Sequence, residues 1–334
     1  MKRSNVTSYK LNSENIVPLI KLLPLAVPFA VWLELTNFCN FECNFCPTGD
    51  KELLKKIGRP SGFISYELFE KIIKDLYNLT RKSGKKIERL HLYKDGESLL
   101  HKDIGKIISY VKEKDICNSL ELTTNGSLMT ADKSEILVKN GLDGIRISVE
   151  HVNDKKYKEI TSTFSNYKTI VKNVSQLFNE REKAGSSLKI YVKIIDTGLT
   201  EKEKKKFYND FSAISDYIYI DKLMTWTGTG IKRSNFKSKR KVCSEPFTKL
   251  SINFNGTVSL CCVDWSHGSI VGDINKQSIE EIWNGEKIRQ FRQLHIEGRK
   301  DEIEICQNCD YINNLPKYTN IDDYTDLLRK IYLS

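Results

Sequence analysis

Three cysteines fall within eight residues, Cys39, Cys43 and Cys46 in the string CNFECNFC, directly after an apolar, strand-like run. The next cysteine is Cys117, so no fourth thiol stands nearby. Thiolates spaced this closely bind a structural zinc ion, which takes four ligands, or an iron–sulfur cluster, whose cubane form also wants four. Three ligands on a cubane leave one iron open to another molecule, and an open iron does chemistry rather than only carrying electrons. A zinc site completed by distant cysteines is the alternative.

The chain has nine cysteines, the rest at 117, 243, 261, 262, 306 and 309. It reads as having no secretory signal and lacks the cysteine density of a small secreted domain, which favours metal ligation over disulfides. Residues 16 to 35 are the most apolar stretch, yet Pro18, Lys21, Pro24, Pro28 and Glu34 interrupt it. A membrane span needs about 20 apolar residues, so the expectation is a cytoplasmic protein without a membrane partner. With 334 residues and about 150 residues per domain, one large and one small domain are expected. The net charge of +10 suits an acidic partner or nucleic acid. Basic residues are scattered apart from Lys202 to Lys206 and Lys232 to Lys241, with no aromatic-interleaved basic motif, which argues against nucleic acid.

From residue 30 to 222, short β-branched runs alternate with longer amphipathic ones. The pattern predicts strands over about 31–37, 87–93, 119–124, 144–149, 188–195 and 216–221. Helices are predicted over about 64–81, 101–114, 130–140, 166–184 and 200–213. Ser65 before the run from Tyr66 to Tyr77, and Thr200 with Glu203 three residues on, are helix-start signals. The succession is α/β with a parallel sheet, and six strands suit a partial (β/α)6 barrel. Parallel strands covered on both faces normally read as continuous apolar runs; these alternate. In IRISVE, Ile145, Ile147 and Val149 point one way and Arg146, Ser148 and Glu150 the other. The same parity sets apart His91, Tyr93 and Asp95; Glu121, Thr123 and Asn125; Tyr191 and Lys193; and Tyr217, Tyr219 and Asp221. With the apolar set against the helices, the polar set faces the lumen, which makes that lumen a hydrated or substrate-filled cavity.

CNFECNFC resembles the Cys-x3-Cys-x2-Cys signature of the radical S-adenosylmethionine superfamily, and the β/α units after it are similar to that family's partial barrel. The resemblance implies that Cys39, Cys43 and Cys46 hold a [4Fe–4S] cluster whose open iron is chelated by the methionine moiety of S-adenosylmethionine. Reductive cleavage would release a 5′-deoxyadenosyl radical that takes a hydrogen atom from the substrate, inside a barrel that excludes solvent. YKDGESLLH looks like the family's Gly-Gly-Glu-Pro segment, which assigns Gly96 and Glu97 to the methionine ammonium; Asp95 and Ser98 depart from that pattern. Asn125 in TTNG, Ser148 and Glu150 match further cofactor positions, the last two at the ribose hydroxyls, and Phe45 falls near the adenine.

The C-terminal third resembles the SPASM/twitch extension of the same superfamily. Cys243 precedes a hairpin-like segment, TKLSINFNGTVSLCC, whose Asn255-Gly256 signals a type I′ turn. An amphipathic helix and the pair Cys306 and Cys309 follow. The resemblance implies one auxiliary [4Fe–4S] cluster on Cys243, Cys261 or Cys262, Cys306 and Cys309, with Cys261 taken as the third ligand. A structural zinc at these thiols is the alternative. The expected organisation is an extension over 1–29, the barrel over 30–222, a linker over 223–242, a small α+β auxiliary iron–sulfur domain over 243–312 and a helical tail over 313–334.

This layout is similar to that of the twitch-containing aminocyclitol dehydrogenases. It implies abstraction of a carbinol hydrogen from a small polar substrate, a carbohydrate or aminocyclitol, whose secondary alcohol becomes a ketone while the auxiliary cluster takes an electron. His91, Tyr93, Arg146 and Lys193 are the catalytic candidates in the polar lumen, where the hydroxyl proton needs an acceptor. The alternatives are epimerisation, with Cys117 or the spare member of Cys261 and Cys262 returning a hydrogen, and peptide maturation, for which the roughly 28 residues before the first strand are too few for a recognition domain. The reaction needs a one-electron donor, an acidic flavodoxin or ferredoxin, steered to a basic surface such as Lys232 to Lys241.

Overall fold

Strands β1 (Ala30–Leu33), β2 (Ile87–His91), β3 (Cys117–Thr124), β4 (Gly144–Val149), β5 (Lys189–Asp196) and β6 (Tyr217–Lys222) pair in parallel in the order β6-β5-β4-β3-β2-β1. The computed structural model describes residues 17–223, 240–307 and 309–333. Helices α1 (Lys51–Ile57), α2 (Tyr66–Ser83), α3 (Ile104–Lys114), α4 (Ala131–Lys139), α5 (Asp154–Thr161), α6 (Tyr167–Ala184) and α7 (Glu201–Phe211) lie in the connections. Apolar strand residues such as Leu90, Leu122, Ile145, Ile147, Val192 and Ile194 are fully buried in one core with the apolar stripes of the helices, each such side chain contributing about 1.5–3 kcal/mol. The opposite parity forms rows in register: Trp32, His91 and Glu121; then Thr123, Arg146, Tyr191 and Tyr217; then Ser148, Lys193 and Tyr219. Layered rows are how barrel interiors are filled. Here the rows are polar, and the α/β partial barrel encloses a polar lumen as its alternation predicts.

Helix starts follow their signals. Ser65 accepts a hydrogen bond from Leu68 N–H, and Thr200 with Glu203 forms a reciprocal capping box. Two helices, α1 and α5, escape the periodicity: α1 buries no residue and α5 only Tyr157 and Thr161, so neither carries an apolar stripe. The first strand stops at Leu33, short of the expected residue 37. Beyond it, Glu34 and Asn37 turn to the segment after α1, where Arg59 Nη2 donates to Glu34 Oε1 at 3.1 Å and Asn37 Nδ2 to Pro60 C=O at 2.8 Å.

The C-terminal region comprises α8 (Glu245–Thr248), β7 (Lys249–Ile252), β8 (Thr257–Ser259), β9 (Ile270–Asp273), α9 (Ile279–Trp283), α10 (Glu286–Ile296) and α11 (Thr325–Tyr332). β7 pairs in parallel with β1, and β8 and β9 add antiparallel, so the auxiliary strands extend the barrel sheet rather than forming their own. The Asn255-Gly256 hairpin forms, but its turn is not type I′. Gly256 has φ +87° while Asn255 does not enter the left-handed region, and Gly256 N–H donates to Asn253 C=O at 2.9 Å. That is a three-residue loop with glycine in its last position. The single helix expected after it is two, α9 and α10, broken at Asn284-Gly285, where a Cβ on Gly285 would stand 2.6 Å from Glu281 C=O. Among the described residues no helix is long and apolar enough to cross a membrane. Most of the expected linker, and the basic run from Lys232 as far as residue 239, lie outside the described residues.

Candidate active site and metal centres

The loop between β1 and α1 brings Cys39, Cys43 and Cys46 to the wall of one cavity of about 340 Å³ at the C-terminal ends of the strands. Its backbone is tied down on both sides: Glu42 N–H and Asn44 N–H donate to Thr161 C=O and Ile160 C=O, both at 2.9 Å. Gly49 closes the loop, since a Cβ there would meet the Glu42–Cys43 backbone at 2.8–2.9 Å. Burial pushes the Cys39 thiol up to about 12, and raises Cys43 and Cys46 too. Three buried thiols on one wall, repelled from ionising alone, become thiolates when a metal centre takes them.

The segment after β2 is zipped onto this loop. Glu97 N–H donates to Phe38 C=O at 2.8 Å. Gly96 has φ +70°, and a Cβ there would lie 2.5 Å from Phe38 C=O, so the loop can approach only a glycine. Gly96→Ala is expected to cost about 1–3 kcal/mol and to weaken S-adenosylmethionine binding, checked by thermal melting and equilibrium dialysis. Glu97 is held by Leu99 N–H at 2.9 Å, Thr124 Oγ1 at 2.9 Å and Asn125 N–H at 2.7 Å. Burial still raises its pKa, the three bonds opposing the shift. Asn125 Nδ2 reaches Asn40 Oδ1, inside the cysteine loop, at 2.9 Å. Phe45, Gly96, Glu97, Asn125, Ser148 and Glu150 all line the cavity, and burial lifts Glu150 to about 7 against the pull of Lys193.

The four catalytic candidates divide between two layers. Tyr93 and Lys193 line the cavity, Lys193 with its Nζ 3.6 Å from Asp221. His91 and Arg146 do not; they sit in the rows beneath it. Arg146 donates to Tyr93 Oη at 3.1 Å, and His91 lies against Trp32 with ring centroids 4.4 Å apart and Nδ1 3.5 Å from Glu121. Burial, with Arg146, Arg89 and Lys249 nearby, drives the His91 pKa well below its ordinary value, so the imidazole is neutral. The reason is position along the chain: His91 is the last residue of β2, and the cavity wall is built from the segment after it, beginning at Tyr93.

Thr123 lines the wall as its parity predicts, whereas sequence reading missed other residues of it, among them Lys94 and Tyr311. Tyr311 comes from the far end of the chain, where no pattern announced it. The departure at Asp95 has a partner. Arg59 Nη2, buried between α1 and α2, donates to Asp95 Oδ2 at 2.8 Å as well as to Glu34, its guanidinium 4.8 Å from the Trp265 ring. Lys94 Nζ crosses to Asn253 Oδ1 at 2.8 Å and Asp264 C=O at 3.1 Å, joining the loop after β2 to the C-terminal region.

Behind this wall, Cys243, Cys261, Cys306 and Cys309 line a second, smaller cavity of about 30 Å³. Four convergent thiols are what a fully ligated cluster requires. The N–H groups of Tyr311 and Ile312 bond to the Cys309 sulfur, and His295, kept neutral by burial at a pKa of about 4, accepts from Cys243 N–H at 3.4 Å. Cys262 lines the first cavity and Cys261 the second, their sulfurs within 4.8 Å of each other. Cys117 lines neither cavity.

Residues 33–192 match the model of the Radical SAM superfamily, and residues 243–310 that of an iron–sulfur cluster-binding domain, SPASM. The chain belongs to the radical S-adenosylmethionine superfamily. As a radical SAM protein with a C-terminal SPASM/twitch-type domain it uses a [4Fe–4S] cluster with S-adenosylmethionine and an auxiliary cluster, and the two thiol sets fit them. It is 20% identical to an S-adenosyl-L-methionine-dependent 2-deoxy-scyllo-inosamine dehydrogenase from Niallia circulans, over 84% of this chain and 92% of the relative. It is 32% identical to a probable GTP 3′,8-cyclase from Methanocaldococcus jannaschii, but over only 39% of either chain. In fold it resembles BtrN crystallised with AdoMet and 2-DOIA, with TM-score 0.57, 18% identity and coverage of 85% and 93%. It also resembles Streptococcus suis SuiB bound to S-adenosylmethionine, with TM-score 0.65, 15% identity and coverage of 88% and 76%.

Proposed function

We propose that this radical SAM enzyme oxidises a secondary alcohol of a carbohydrate or aminocyclitol to a ketone. The observation that carries the reading is the shared wall: Val263 and Tyr311 line both the triad's polar cavity and the four-thiol pocket, so a substrate radical would lie one side chain from an electron acceptor. The likeness to a dehydrogenase over 92% of that relative's length supports it. When bound, the open-iron cluster with S-adenosylmethionine supplies the 5′-deoxyadenosyl radical, and the auxiliary cluster a one-electron sink. Glu97, Gly96, Asn125, Ser148 and Glu150 hold the cofactor. Tyr93 and Lys193 orient the substrate hydroxyl, Arg146 and Asp221 positioning them, and the Asp221 carboxylate in the same wall receives its proton, while His91 serves the floor beneath. A flavodoxin or ferredoxin supplies the reducing electron.

The test is anaerobic incubation of reconstituted protein with dithionite, S-adenosylmethionine and a panel of polyols and aminocyclitols. A ketone two mass units below its substrate, with equimolar 5′-deoxyadenosine, is expected; mass-neutral products from every turnover would rule the reading out. The second reading, epimerisation, is favoured by one observation, the Cys262 thiol in the cavity wall, and predicts solvent deuterium in a product of unchanged skeleton.

A further inference from the structure

The geometry points to Cys262 and Tyr311 as the electron crossing between the substrate cavity and the auxiliary cluster, an inference that rests on the alcohol-oxidation reading. The two residues occupy the wall from opposite ends of the C-terminal region. Cys262 lines the first cavity while its neighbour Cys261 lines the second. The Cys261 and Cys262 sulfurs and a Glu245 carboxylate oxygen lie within 4.8 Å of one another. Cys262 therefore offers substrate one face and the Cys261 ligand the other, with a polarisable sulfur between. Tyr311 lines both cavities; its backbone N–H bonds to the Cys309 sulfur while its ring closes the substrate side. Beneath them Glu245 is paired with Lys249 at 2.6 Å, and the Cys262 sulfur is 3.9 Å from Glu245 Oε2. This buried ion pair fixes the Cys262 side chain in place.

The step balances. Loss of the carbinol hydrogen leaves a carbon-centred radical; its O–H bond breaks, the proton passes to the Asp221 carboxylate beside Lys193, and one electron would cross by way of Cys262 and Cys261 to the oxidised auxiliary cluster that Cys243, Cys261, Cys306 and Cys309 would hold. The carbon–oxygen single bond becomes the ketone C=O, and neither Cys262 nor Tyr311 is changed.

The experiment compares wild-type holoenzyme with Cys262→Ala, Cys262→Ser and Tyr311→Phe, using the alcohol that the wild type oxidises. Iron content and 5′-deoxyadenosine formation are expected to match wild type in all three. In Cys262→Ala, ketone falls by about tenfold relative to 5′-deoxyadenosine. Its auxiliary-cluster midpoint potential, followed by EPR without substrate, shifts because the polarisable thiol within 4.8 Å of the Cys261 sulfur is gone. Cys262→Ser, which retains a polar group there, keeps the potential nearer wild type, and Tyr311→Phe, which keeps the ring, retains most of the coupling. Ketone at the wild-type ratio and an unmoved potential in Cys262→Ala would overturn the inference. A mass-neutral product whose solvent deuterium disappears in Cys262→Ala would overturn it together with the oxidation reading. A shifted potential in a protein that oxidises no alcohol would sink the oxidation reading alone and sustain the contact between the cavity and the cluster.

Discussion

Cys43→Ala is expected to abolish 5′-deoxyadenosine formation and to halve the iron bound after anaerobic reconstitution. The triad supplies three ligands from one loop, and neither cysteine left unassigned belongs to it: Cys117 lies on β3 and lines neither cavity, and Cys262, across the same cavity, is held beside Cys261 and Glu245. Cys43 is also the most buried of the three, at 9% exposure. Neither water nor a neighbouring carboxylate replaces a thiolate on iron at comparable strength, so losing one of three anchors releases the cluster rather than weakening it. Two other variants place the effect. Cys306→Ala is expected to lose the auxiliary iron and ketone formation while still cleaving S-adenosylmethionine, because its sulfur lines only the second cavity. Cys117→Ala should leave both clusters and both activities near wild type, since Cys117 begins β3 and lines neither cavity, a place for packing rather than ligation. Iron content, the visible absorption of the clusters and 5′-deoxyadenosine by chromatography distinguish the three. Intact cleavage in Cys43→Ala would contradict the assignment of the triad.

Much of this architecture was legible because its signals are periodic. The strands alternate, and Ile145, Ile147 and Val149 against Arg146, Ser148 and Glu150 already separate helix-facing from lumen-facing side chains; the register then brings Ser148 beside Lys193 and Thr123 beside Arg146. Parity does not say how far along a strand the cavity begins. His91 and Tyr93 share a parity, yet one is beneath the floor and the other in the wall. The four-thiol pocket was legible from cysteine spacing, but the choice between Cys261 and Cys262 depends on which way β8 leaves its bulge between Val258 and Ser259, a tertiary detail. The joining of β7 to β1 was hidden for a similar reason: pairing partners more than two hundred residues apart leave no local trace. Arg59 was the largest omission. It sits in a short connection after a helix that buries nothing, and its importance lies wholly in what reaches it from elsewhere.

Arg59→Met is accordingly expected to have the largest effect on stability of any substitution outside the cysteines. The guanidinium, with no exposed side-chain surface, bridges Glu34 Oε1 at 3.1 Å and Asp95 Oδ2 at 2.8 Å, and both carboxylates are buried as completely. Removing one member of such a group leaves uncompensated buried charge, at a cost of about 3–5 kcal/mol. The damage reaches the active site because Asp95 is next to Gly96 and Glu97, in the segment that is zipped to the cysteine loop. S-adenosylmethionine binding should weaken along with the melting temperature. The sign with pH can be stated in advance. Burial lifts Glu34 to about 7 in the folded protein from 4.5, so the folded state holds its proton more tightly than the unfolded chain does. That contribution to stability is present below about 4.5 and is lost as pH rises to about 7. Without Arg59 the carboxylate loses a cation that opposes this shift, its folded pKa rises further, and the deficit of Arg59→Met relative to wild type should grow between pH 5 and pH 8. Arg59→Met combined with Glu34→Gln and Asp95→Gly, which removes both stranded charges, should recover much of the lost stability and flatten the pH dependence. Thermal melts of the single and triple variants across that range decide the matter: an equal deficit at both ends, unrelieved in the triple variant, would mean that Arg59 contributes packing against Trp265 rather than charge.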